Sequence, residues 1–105
     1  MGMLKLEIPH TLSVEEAKTR VQALLDYWGK KHGVKSSWAG DKATFGGKVL
    51  GIGVDGHLTV TPRGIAGEAS DPGFLFRSKA KEYLERKFGS YLDPKKTLDQ
   101  LKGED

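Results

Sequence analysis

A chain of 105 residues with 37% hydrophobic and 30% charged residues has the length and composition of one soluble globular domain with a modest core. It contains no cysteine, which excludes a disulfide scaffold and thiol chemistry and fits a reducing cytoplasm. The formal net charge of +3 is a weak bias toward anions, well short of the clustered excess expected of a nucleic-acid binder, and no apolar run approaches the roughly 20 residues of a membrane span.

The opening stretch MGMLKLEIPH has no signal-peptide pattern of basic, long apolar and cleavable regions. From Met3 to Ile8 the residues alternate, with Leu4, Leu6 and Ile8 on one side and Lys5 and Glu7 on the other. This predicts a half-buried strand that ends at Pro9. Ser13 followed by Glu16 is a capping box, and Glu15 and Glu16 suit the positive end of a helix dipole. Val14, Ala17, Val21, Leu24, Leu25, Trp28 and His32 then recur at helical spacing. They predict a helix over about 14–31, with Lys30 and Lys31 in its last turn and Gly33 as its stop.

Residues 34–70 read as an antiparallel meander with strands near 34–39, 43–53, 57–61 and 65–70. Turns at Gly40-Asp41, Asp55-Gly56 and Pro62-Arg63-Gly64 separate them. A loop over 54–56 would pair Ile52 with Leu58 and Leu50 with Val60, gathering the apolar side chains on one face. It would place Gly56 at the left-handed position of a type I turn with a G1 bulge. Gly47, Val49, Gly51, Gly53, Thr59 and Thr61 would then share the opposite face, either as plain exposed sheet or as a Gly/Thr-rich surface for self-association. Asp71-Pro72-Gly73 breaks the sheet. Phe76, Ala80, Tyr83, Leu84, Phe88 and Tyr91 predict a second helix over 74–91, and Asp93-Pro94 opens a tail with a short helical turn and a frayed end. The expected organisation is a single α+β domain over 1–92 and a tail over 93–105. Its fold class is two-layer α+β: a five-stranded, mainly antiparallel sheet with both helices on one face, in the order β-α-β-β-β-β-α.

The stretch GIGVDG, 51–56, has the G-x-G-x-x-G spacing of a dinucleotide site. It is followed by the strand-like HLTVTP instead of a helix, so no nucleotide cofactor is expected. His10, His32 and His57 do not fall at metal-ligand spacing, no serine lies in G-x-S-x-G, and Asp26, Asp41, Asp55 and Asp71 sit at helix or turn positions that favour local hydrogen bonds. No catalytic, cofactor or metal residue is therefore assigned. Gly40, Asp41, Asp55 and Gly56 read as structural turn residues. Trp28 and Trp38 read as core anchors, with ligand stacking as the alternative for Trp38. The terminal helix opens with Phe74, Leu75 and Phe76, which one buried stripe cannot accommodate together, followed by Arg77, Lys79 and Lys81. These six are the candidate surface-binding residues, for an apolar or anionic surface; the plain alternative is a helix packed on the sheet with a solvated basic face.

The stretches IPHTLSVEEAKTRVQALL, WAGDKATF, GVDGHLTV and GFLF, in that order, resemble the polyhydroxyalkanoic acid system protein family, small bacterial proteins linked to polyester storage granules. Pro9, His10, Glu15, Glu16, Ala17, Trp38, Gly40, Asp41, Gly53, Val54, Asp55 and Gly56 carry the resemblance, which spans about residues 4–92. The glycine-rich stretch 46–51 and the tail after Leu92 depart from the family pattern. The resemblance implies a cytoplasmic bacterial protein with a granule role and no established catalytic residues. The leading expectation is a non-enzymatic accessory protein of the polyhydroxyalkanoate system whose partner is the granule or its coat. The alternatives are a carrier of a small hydrophobic ligand or lipid, with a cavity between helices and sheet, and an enzyme using His10 or His57 with an Asp.

Overall fold

The structure is a computed structural model that describes residues 3–49, 52–71, 73, 75–97 and 100, and the side chains of these except Met3, Val49 and Ile52. Alternation at the start of the chain forms β1 (Met3–Pro9), and the capped amphipathic run forms α1 (Val14–His32). Then come β2 (Lys35–Ala39), β3 (Lys42–Gly46), the short strands β4 (Lys48–Val49) and β5 (Ile52–Gly53), β6 (Gly56–Val60), β7 (Gly64–Ser70) and α2 (Arg77–Tyr91). The main sheet has five antiparallel strands in the order β1-β7-β6-β3-β2, while β4 and β5 form a separate two-stranded ribbon. The α+β class and the order of the main elements are those the sequence predicts.

Local chemistry sets the ends of α1. The Ser13 hydroxyl accepts from the Glu16 N–H at 3.1 Å, and Gly33, at φ 72°, closes the helix by donating to the Gly29 carbonyl. Along the helix Ala17, Val21, Leu24, Leu25 and Trp28 are buried. On the sheet the inward rows follow the register: Leu6 beside Gly67, Leu58 and Ala43, and Ile8 beside Ile65 and Val60. Trp28 joins both helices to this face. Its ring lies 6.2 Å from Phe45, 5.7 Å and edge-on from Phe88, and 6.4 Å and stacked from Tyr83. Both helices therefore close one core on one face of the sheet. Tyr83, on the predicted apolar stripe of α2, is half-buried, and the side chain of Ile52, which the predicted hairpin puts on the apolar face, lies outside the described residues.

Four expectations change. The strand predicted over 43–53 ends at Gly46. The chain leaves the sheet at Gly47, whose φ of 154° and close approach to Val34 (a Cβ would stand 2.9 Å from its Cα) no other residue would accept. The chain returns at Val54, which is buried and donates to the Gly47 carbonyl at 2.9 Å. Consequently β6 pairs with β3, Leu58 opposite Ala43, and the expected register of Ile52 with Leu58 does not form; the expected pairing of Leu50 with Val60 involves Leu50, which with Gly51 lies outside the described residues. Gly56 is not a positive-φ turn residue. It is the first residue of β6, where a Cβ would collide with the Glu68 carbonyl and stand 2.9 Å from the Ala69 Cα. With Gly47 and Gly53 outside the main sheet, the predicted Gly/Thr-rich face is not assembled. The outer face instead carries Lys5, Glu68, His57, Thr44 and Ser37 in one register row.

The helices run antiparallel. Arg20, early in α1, reaches the carbonyls of Tyr91 and Asp93 at the end of α2, whereas Tyr27 and Trp28 meet Lys87 and Tyr83. One end of the molecule thus holds the β1–α1 turn and the end of α2. The other holds the end of α1, the β4–β5 ribbon and the head of α2.

Candidate surface-binding site

The head of α2 is built by the break after β7. The Asp71 carboxylate accepts from the Gly73 N–H at 2.9 Å and pairs with Arg77 Nε at 2.8 Å, and Gly73 turns the chain at φ 101°. The Phe76 N–H bonds back to the Gly73 carbonyl at 3.1 Å, and helical hydrogen bonding starts with Ala80 donating to the Phe76 carbonyl. The helix therefore begins at Arg77, not at residue 74. Its N-cap is Phe76, without a capping side chain, and its first turn holds Arg77 and Lys79 but no acid. Basic residues against the positive end of the dipole, and a missing cap, are both locally unfavourable.

Leu75 is 72% exposed and Phe76 49% exposed, and these are the exposed large hydrophobic residues among those described. Beside them Arg77, Lys79 and Lys81 face solvent. Of the candidate surface-binding residues, Leu75, Phe76, Arg77, Lys79 and Lys81 are all exposed at the head of α2; Phe74 lies outside the described residues.

The other singled-out residues have local partners. Trp38 donates its indole N–H to Gln22 Oε1 and has Lys18 Nζ 5.4 Å from its ring centre, and its ring packs against the core. Lys18 also bonds the Gly40 carbonyl at 2.9 Å and pairs with Asp41 at 3.3 Å, fixing the turn between β2 and β3, where Gly40 takes φ 63°. Asp55 exchanges hydrogen bonds with Ser70, tying the start of β6 to the end of β7. His10 is buried with both ring nitrogens engaged: Nδ1 accepts from the Leu12 N–H at 3.0 Å, so Nε2 donates to the Thr61 carbonyl at 2.8 Å. His57 lies on the outer sheet face, 3.5 Å from the Glu68 carboxylate. Among the described residues neither histidine is paired with an Asp, and no group of His, Asp and Glu is arranged to hold a metal ion.

Sequence reasoning missed Arg20. Its guanidinium is buried, pairs with Glu16 at 3.0 Å and donates to the carbonyls of Tyr91 at 3.3 Å and Asp93 at 2.7 Å, holding the end of α2 against α1. The available signal was a basic residue inside the apolar stripe, four residues after an acid. The Tyr83 hydroxyl accepts from the Trp28 indole at 3.2 Å, and burial raises its pKa above the usual tyrosine value. Between helices and sheet the side chains of Trp28, Phe88, Leu6, Leu24 and Leu58 are fully buried. A depression of about 480 Å³ beside α1 is lined by Leu25, Asp26, Tyr27, Lys30, Val34 and Tyr91 among others.

Fold and site together define a small two-layer α+β protein whose distinctive feature is an apolar and basic surface at a helix head. No helix among the described residues is long and apolar enough to cross a membrane. The chain belongs to the family described as "Putative polyhydroxyalkanoic acid system protein", whose model matches residues 4–95. Among curated proteins and among solved structures, no match is found.

Proposed function

We propose that this chain is a non-enzymatic accessory protein of the polyhydroxyalkanoate storage system, resident in the bacterial cytoplasm, that docks on the granule surface through the head of α2. The observation that carries the reading is the exposure of Leu75 and Phe76 beside Arg77, Lys79 and Lys81. Membership of the family supplies the setting. Full burial of a leucine or phenylalanine side chain is worth about 1.5–3 kcal/mol, which a hydrophobic granule surface can supply. The basic side chains add an attraction to anionic coat components that weakens with salt.

The test is co-sedimentation with granules from polyester-accumulating cells. Wild type should sediment with the granules. Leu75→Ser/Phe76→Ser should lose binding at every salt concentration, and Arg77→Gln/Lys79→Gln/Lys81→Gln should lose it most at low salt. Circular dichroism and thermal melting report that each variant is folded. Wild type left in the supernatant, or variants that sediment equally well, would refute the reading.

A further inference from the structure

The α2 head shares its end of the molecule with the last turn of α1. From the Arg20 contacts to the Trp28 contact with Tyr83, both helices advance by about 12 Å at 1.5 Å per residue. A further 6 Å or so brings His32 level with the first turns of α2, so Leu75 and Phe76 project past the end of α1. This places Lys30 and Lys31, exposed in the last turn of α1, on the same end as Arg77 and Lys79. Lys35 at the start of β2 and Lys48 in the ribbon, both exposed, extend the basic rim. The acids nearest this end are Asp71, paired with Arg77, Asp55 at the base of the ribbon, Asp26, which accepts from Gln22 in the same depression as Lys30, and the exposed Glu82 next to Lys81; the exposed lysines Lys30, Lys31, Lys35, Lys48, Lys79 and Lys81 outnumber them.

We infer that this whole end is a composite docking face for an anionic phospholipid surface. Leu75 and Phe76 enter the acyl boundary, while Lys30, Lys31, Lys35 and Lys79 contact headgroup phosphates. The inference rests on the granule-docking reading for Leu75 and Phe76 and adds the α1 side and the chemistry of the partner. Charge complementarity selects the occupant. An uncharged polyester has no anionic group to pair with the lysines of α1 and β2, and a nucleic acid has no apolar layer to bury an aliphatic side chain as exposed as Leu75. An anionic lipid layer satisfies both.

The experiment is co-sedimentation of the full chain with phosphatidylcholine vesicles, with and without phosphatidylglycerol, at low and high salt. Binding should require phosphatidylglycerol and fall with salt. One lysine near such a surface is worth about a fivefold gain in affinity, so Lys30→Gln/Lys31→Gln/Lys35→Gln should weaken binding at least about tenfold. That variant leaves α2 untouched, and circular dichroism and thermal melting report that it is folded. Equal binding of wild type and the triple variant, or no binding to phosphatidylglycerol vesicles, would overturn the inference. So would tighter binding to a DNA duplex than to the vesicles. Polyester particles stripped of lipid separate the two readings: if they retain wild type and triple variant equally, granule docking stands and the lipid inference falls.

Discussion

Gly56 and Gly67 are glycines because of their neighbours across the sheet, not because of their own backbone angles. A Cβ on Gly56 would meet Ala69 and Phe45, and one on Gly67 would meet the His57 carbonyl and Leu58. Gly56→Ala should therefore cost about 1–3 kcal/mol, the range for overpacking a tight site. Gly53, with nothing within 4 Å of an added Cβ, should accept alanine within about 0.5 kcal/mol. Urea unfolding of the two variants decides, and equal stabilities would contradict this account. The Asp55-Gly56 pair looks like a turn because its signal is local, whereas the requirement for glycine comes from a strand that is distant in sequence. Arg20 was hidden for the same reason, since its acceptors at residues 91 and 93 become neighbours only when the helices pack. Arg20→Met should destabilise by about 1.5–3 kcal/mol, the worth of hydrogen bonds from a charged donor, in the same unfolding assay. Tyr83 gives a titration. Its pKa is raised in the folded chain, so the related stability is complete below the unfolded tyrosine value of about 10 and is lost as pH rises through the higher folded value. An absorbance titration should show one tyrosine ionising late, and Tyr83→Phe should remove that phase; a late phase that survives the substitution would contradict the assignment.

At the level of elements, β1 and α1 were legible because alternation, a capping box and a glycine stop act within a few residues. The segment 43–53 was not, because period-2 alternation is the same for a strand that continues and one that leaves the sheet. The Gly46-Gly47 pair was the overlooked signal. The start of α2 was misplaced because apolar spacing ran on into residues that the Asp71–Gly73 turn holds outside the helix. The uncapped, basic first turn makes α2 a place where stability and proposed function oppose each other. Lys79→Glu places an acid at the positive end of the dipole and should stabilise the fold by about 0.3–1 kcal/mol. The same change should weaken granule binding. A variant that melts lower, or that binds as wild type does, would remove the claim that this turn is kept basic for docking.

At the scale of the molecule, helices cover one face of the sheet while the other carries a polar row, and among the described residues the exposed large hydrophobic side chains, Leu75 and Phe76, are at the α2 head. The basic and aromatic run of α2 could be read from the sequence, since its members are consecutive. Its proximity to Lys30, Lys31 and Lys35 could not, because it arises from the antiparallel packing of two helices that β2 to β7 separate in sequence. The most direct test of the account is amide hydrogen exchange of the chain free in solution and bound to native granules. New protection is predicted at residues 75–81 and 28–35, with β6, β7 and the β1–α1 turn unchanged. Protection that falls instead on the outer sheet face, around Lys5, His57 and Glu68, with the α2 head unaltered, would contradict the account.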